Sequence, residues 1–141
     1  MHALLFLLAL SPSVHAGDTA PGFSPDPREA KALAKARTDG VDVQVALPRR
    51  AEALQAGAAT YASRCTVCHG AESEGDGTAA VALHPAPADF TDVARWDATS
   101  SGLKRWIIAN GIAGTGMAPM GLSGEQATDV LAYIEVNFAQ H

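Results

Sequence analysis

The stretch Ser63-Arg64-Cys65-Thr66-Val67-Cys68-His69-Gly70 holds both cysteines of the chain and an imidazole directly after the second. It constrains the fold more than any other feature, because whatever these groups bind must be enclosed by the rest of the chain. On a helix turning ~100° per residue, Cys68 and His69 each lie within about 60° of the direction of Cys65, so two sulfurs and an imidazole point the same way. Three common uses of paired cysteines fit poorly. A redox dithiol of the thioredoxin type wants Cys-x-x-Cys beside a βαβ pattern, and no convincing alternating strand pattern is present. A structural zinc site needs four ligands, but there is no second cysteine pair, and His84 and His141 follow no finger spacing. A disulfide between residues three apart on a helix would be strained and would close too small a loop to stabilise much.

The fourth use fits every atom. Cys-x-x-Cys-His is the attachment signature of c-type haem: the thiols of Cys65 and Cys68 add across two vinyl groups, and His69 reaches the iron. One motif implies one covalent haem c. The sixth position on iron has candidates in Gly111-Ile-Ala-Gly-Thr-Gly-Met117-Ala-Pro-Met120-Gly, where two methionines sit in a Gly/Pro-rich loop. A methionine is often a flexible core filler, but its thioether is also a haem ligand. His84 competes; it lies soon after the motif, in Leu-His-Pro-Ala-Pro-Ala-Asp-Phe, and is expected at the surface.

Residues 1–16 read as a signal peptide. The apolar run Ala3 to Leu10 is followed by Pro12 and a small-residue site ending at Ala16, although the segment before the run lacks Lys and Arg. The run falls short of the roughly 18 apolar residues of a spanning helix, so no integral membrane anchor is expected and the destination is the periplasm. Charge divides unevenly beyond this point. Residues 17–50 carry six Lys/Arg against five Asp/Glu; from Ala51 onward four basic residues (Arg64, Arg95, Lys104, Arg105) face ten acidic ones. That balance argues against nucleic acid or an anionic membrane as partner and points to redox proteins with a basic docking surface.

The helical pattern predicts about four helices. The first has Asp26 as N-cap and Pro27 at its first position, and ends before Gly40; it is short and mostly polar. The second follows Pro48 and runs up to the cysteines with Ala53, Leu54, Ala58, Tyr61 and Ala62 on one face. The third starts at Ser100 or Ser101, carries Leu103, Trp106 and Ile107, and stops at Gly111. The last opens on capping-box spacing at Ser123 and Gln126 and turns Val130, Leu131, Ile134 and Phe138 inward. Long loops separate them, with one helical turn expected near Thr78 to Leu83. The class is all-α, divided into the leader 1–16, an N-terminal extension 17–50 and a haem domain 51–141.

From about Ala51 to Phe138 the chain resembles the class I cytochromes c, particularly the small exported bacterial ones. Gly57, Tyr61 and Cys65 recur at intervals of four as in that family's N-terminal helix, and Val130-Leu-Ala-Tyr-Ile134 is similar to its C-terminal helix. The resemblance implies that these helices cross, with Gly57 admitting Tyr133. It implies that a proline carbonyl, best matched by Pro85, accepts the Nδ1 proton of His69. By the family's methionine loop, Met117 is the sixth ligand and Met120 packs beside it. Arg95 and Trp96 are assigned to the haem propionate edge, and Asn110 to orienting the methionine loop. The function implied is single-electron transfer without catalysis. Alternatives are a subunit docked permanently in a dehydrogenase or oxidase, and a haem protein with an open sixth site.

Overall fold

The computed structural model describes residues 24–41 and 43–139, which form six α-helices and one 3₁₀ turn; no strand occurs among the described residues. The helices are α1 (Pro27–Thr38), α2 (Ala51–Arg64), α3 (Thr66–His69), α4 (Val93–Asp97), α5 (Ser101–Asn110) and α6 (Gly124–Asn137), with the 3₁₀ turn at Ala80–Ala82. The leader 1–16 lies outside the described residues. The all-α expectation holds; α1, α5 and α6 start where the capping signals place them, and α2 lies between Pro48 and the cysteines as its apolar face predicts. The additions, α3 and α4, are four and five residues long, too short for apolar periodicity to announce them.

The caps explain the boundaries. Asp26 accepts a hydrogen bond from the Arg28 amide with Pro27 at the first helical position. Ser100 caps α5 through the Leu103 amide. Ser123 and Gln126 exchange both bonds of a capping box at the start of α6, which satisfies two otherwise orphaned amides. Ser101, the other candidate cap of α5, is instead buried: its Oγ donates to the Gln44 side chain at 2.9 Å and accepts from the Val45 amide at 2.7 Å. That anchors the strap leading from α1 to α2.

The principal packing is α2 against α6. A Cβ added to Gly57 would collide with the Asp129 carbonyl oxygen and stand 2.8 Å from Tyr133 Cβ, so only glycine lets the backbones approach this closely. The expected Gly57–Tyr133 contact is present. Around it, Tyr61, Trp96, Val130, Leu131 and Ile134 form the main core, with Phe90, Ile108, Tyr133 and Phe138 packed on it. Of the expected α2 face, Ala53 and Tyr61 are buried together with Gly57, whereas Ala62 is exposed.

A second cluster joins α1 to α5. Leu33 and Ala36 are buried against Leu103, with Val41, Trp106 and Ile107 alongside. Two apolar side chains one turn apart therefore give a largely polar helix an anchored face, and α1 and residues 43–45 pack onto the same body as the haem-signature region.

Candidate haem site

Helix α2 ends at Arg64, and Cys65 starts the short turn α3 that carries Cys68 and His69. The turn is held from both sides. Tyr61, one turn earlier, donates its phenolic proton to the Gly70 carbonyl at 2.8 Å and shares a short bond with the buried Ser73 hydroxyl. The loop after His69 folds back over the motif through Gly77 N to Cys68 O and Ala79 N to Val67 O. All three motif side chains line one cavity, together with Leu83, Pro85, Phe90, Trp96, Met117, Met120 and the α6 residues Val130, Leu131 and Ile134. This is the juxtaposition expected from the 65, 68, 69 spacing.

His69 is 9% exposed, and its Nδ1 donates to the Ala88 carbonyl at 3.0 Å. Because a carbonyl only accepts, that bond places the proton on Nδ1 and leaves Nε2 with a free lone pair. The ring is therefore preset as a metal ligand. Burial, the dominant cause, pushes its pKa below the ordinary histidine value despite the raising effect of the Ala88 bond; Arg95 lowers it further. Neutral imidazole is thus the stable form near neutrality.

The acceptor corrects one expectation. It is Ala88, not Pro85, because the Phe90 amide is tied to the Ser73 carbonyl at 2.8 Å, drawing the end of the loop alongside the imidazole. The same tether stacks the Phe90 ring on His69, with centroids 4.4 Å apart and planes 21° from parallel. Phe90 in turn meets Trp96 edge-on at 5.7 Å. Pro85 remains a lining residue of the cavity.

The two thiols are free and part-buried. Burial, with a smaller contribution from Cys68, pushes the Cys65 pKa up to about 11. A protonated thiol facing an apolar cavity is the opposite of the low-pKa nucleophile that a redox dithiol needs. Among the described residues no three His, Cys, Asp or Glu side chains come together in a way that could hold a metal ion directly, so a zinc site lacks its ligand set.

Both candidate methionines line the cavity. The Met117 amide donates to Thr115 Oγ1 and its carbonyl accepts from Ile112, while the Met120 amide donates to the Ile108 carbonyl and its own carbonyl accepts from Arg64. Gly116 brings this loop against the preceding one: a Cβ there would stand 2.6 Å from Leu83 Cδ2. His84 is exposed and is not part of the cavity lining, as expected for a surface residue.

The polar rim differs in part from expectation. Trp96 is buried and lines the cavity. Arg95 also lines it, but its Nη2 is bonded to both carboxylate oxygens of Glu29, each at 2.9 Å. Glu29 itself is 8% exposed and lines the cavity from α1. Lys104, counted from sequence only among the basic residues after Ala51, is part-buried, with Nζ 3.8 Å from the centroid of the Trp96 ring. Burial lowers its pKa to about 8 against the opposing pull of Glu135 and Asp97. Asn110 does not orient the methionine loop: it is exposed, and its amide caps the Trp106 carbonyl of its own helix. Sequence reading misses Ala88, Phe90 and Glu29 as residues of the site.

The donor set fits a covalent haem: two free thiols, a neutral imidazole with its outer nitrogen committed, and thioethers from a separate loop, all on an apolar cavity. Among the described residues no helix is long and apolar enough to cross a membrane. No curated protein matches the chain. A solved chain titled "Kuenenia stuttgartiensis reducing HAO-like protein complex Kustc0457/Kustc0458" shares the fold, with a TM-score of 0.55 and 24% identity over 68% of this chain; the match spans 48% of that chain's own length. The profile of the cytochrome c family matches residues 54–137, more than half of the chain. The chain therefore belongs to the cytochrome c family and is a haem electron-transfer protein carrying covalently attached haem c.

Proposed function

We propose that the protein is a monohaem single-electron carrier, attached through Cys65 and Cys68, with His69 and Met117 as axial ligands. The observation that carries this reading is the Nδ1 bond from His69 to Ala88 inside a cavity that both thiols and both methionines line. When bound, the haem supplies a one-electron iron couple. The residues of the chain do the rest. The Ala88 carbonyl holds the imidazole proton and fixes the ring, and Phe90 stacked on it blocks rotation. Met117 offers a soft thioether that favours the reduced state and raises the potential. Val130, Leu131 and Ile134 on α6 exclude water, which keeps reorganisation on electron transfer small.

If His69 and Met117 both held the iron, the haem would offer no open position to a substrate, in keeping with electron transfer alone. The apolar run at residues 3–10 supports export to the periplasm, where the haem is attached. The acidic excess after Ala51 supports a redox partner with a basic face. The test is a pair of absorption spectra, ferric and ferrous, on protein whose haem has survived denaturing electrophoresis. Haem that washes off the polypeptide, or a reduced protein that binds CO at once, would overturn the reading; Cys65→Ser is expected to retain haem much more weakly.

A further inference from the structure

The methionine loop is held from outside by a residue of α1, beyond the stretch that the family profile matches. Arg28 is the second residue of that helix, and its guanidinium is aimed by Asp26: Nε lies 2.9 Å from one carboxylate oxygen and Nη2 3.2 Å from the other. The remaining terminal nitrogen, Nη1, donates to two carbonyls far apart in sequence, His84 at 3.1 Å and Gly114 at 2.9 Å. The first belongs to the loop that runs from the haem signature to Ala88, the second to the loop that carries Met117. Where the same two loops touch directly, Leu83 meets Gly116. The helix that presents Arg28 is itself anchored, by Leu33 and Ala36 against Leu103 and by Glu29 on Arg95.

We propose that Arg28 is a positioning residue for the sixth iron ligand, pinning the methionine loop to the proximal loop so that Met117 stays over the cavity. This rests on the His69/Met117 reading. Other bonds near Met117 join the loop to itself, from the Ile112 amide to the Met117 carbonyl and from the Met117 amide to Thr115 Oγ1. Such bonds shape the loop without fixing it to the body. Attachment comes at the two ends, through the Gly111 amide to Ile107 and through Met120 to Ile108 and Arg64, and between them at the Leu83–Gly116 contact and at Gly114, through Arg28. Of the bonds between the two ends, the one from Arg28 to Gly114 ties the loop to another element, so its loss loosens the stretch that carries Met117. Only the planar fork of arginine can face Asp26 on one edge and two carbonyls on another; a lysine ammonium has no such geometry. Arg28 is solvent-exposed, so its bonds add little to global stability, and their effect falls on the local opening of the loop.

The experiment measures imidazole binding to the ferric holoprotein, since imidazole takes the sixth position only when the loop opens. Arg28→Ala is expected to raise the imidazole affinity roughly tenfold, the consequence of losing about one charge-assisted hydrogen bond from the closed state, and to weaken the ferric charge-transfer band of the sulfur ligand. Arg28→Lys should fall between Arg28→Ala and the wild type. Lys35→Ala, on the same helix, should match the wild type. So should Gly57→Ala, which lowers the unfolding midpoint at the α2–α6 crossing without touching the methionine loop and so tests whether general destabilisation alone opens the site. If Arg28→Ala fails to fold, Asp26→Asn keeps the guanidinium but removes its aim, and should raise the affinity several-fold. A sulfur band in the wild type with unchanged imidazole affinity in Arg28→Ala, or in Asp26→Asn, would overturn this inference alone. Absence of the band in the wild type would overturn the methionine reading and this inference with it.

Discussion

Replacing Gly57 by alanine reads out the α2–α6 crossing with a sign that ordinary helix physics would not give. In an isolated helix the change is favourable by about 1 kcal/mol, because alanine loses less backbone entropy. Here the added methyl runs into the Asp129 carbonyl oxygen and comes within 2.8 Å of both the Asp129 carbonyl carbon and Tyr133 Cβ. Every one of those atoms is backbone or the first atom of a side chain. No rotamer change relieves the clash, and the two helices must separate to restore ordinary contact of 3.4 Å or more. Overpacking of this kind costs about 1 to 3 kcal/mol and sometimes more; with rigid neighbours the upper end applies, leaving a net loss of roughly 2 kcal/mol after the propensity gain. For a domain of this size that lowers the thermal midpoint by roughly 6 to 12 °C. The assay is urea and thermal unfolding of the ferric holoprotein beside Gly124→Ala, where nothing stands within 4 Å of the new Cβ and a gain of a few tenths of a kcal/mol is expected. A Gly57→Ala midpoint equal to or above that of the wild type would refute the claim that the backbones meet at this residue.

Three further outcomes are expected. Met117→Ala should lower the reduction potential and abolish the ferric sulfur band, whereas Met120→Ala should keep the band and mainly lose packing; the reverse pattern in the two spectra would move the ligand to Met120. The folded-state pKa of Lys104, about 8, lies below its ordinary 10.5, so the unfolded chain binds more protons between those values and stability should rise with pH across that window. Lys104→Met should remove the rise, as measured by the difference in urea midpoints at pH 8 and pH 10. Apoprotein should lose its cooperative thermal transition, because the loops between α3 and α6 close on the haem cavity; an unchanged calorimetric midpoint without haem would contradict this.

What was legible in the sequence is what local chemistry dictates. Asp26, Ser100 and the Ser123–Gln126 box announce their helices because each cap satisfies an amide within three residues of itself. The gathering of Cys65, Cys68 and His69 on one cavity follows from helical spacing alone. The partner of His69 was not legible in the same way. Ala88 and Pro85 are three residues apart in a loop without periodicity, and which carbonyl reaches Nδ1 depends on the bond from Phe90 N to Ser73 O, which has no local sequence signature. Asn110 was misread for a related reason. A side-chain amide at a helix end can reach outward or back onto its own last turn, and here the Trp106 carbonyl captures it.

The same distinction explains why α1, within the N-terminal extension 17–50, reads from sequence as a short, mostly polar helix. A helix shows its inward face by an apolar stripe, and in α1 that stripe is reduced to Leu33 and Ala36. The rest of its attachment is ionic or goes through backbone: Glu29 to Arg95, Arg28 to the carbonyls of His84 and Gly114. Charged residues in such roles cannot be told from solvated ones by composition, because the difference lies in what stands opposite. Lys104 makes the same point from the other side of the site, where a cation in a basic pair of residues turns out to lie over the Trp96 ring. In a fold whose interior is largely supplied by a cofactor, the polar groups of the rim settle which loop holds which. Under the proposed His69/Met117 ligation, those rim contacts would set how often the sixth ligand lets go, and hence whether the iron admits an external ligand.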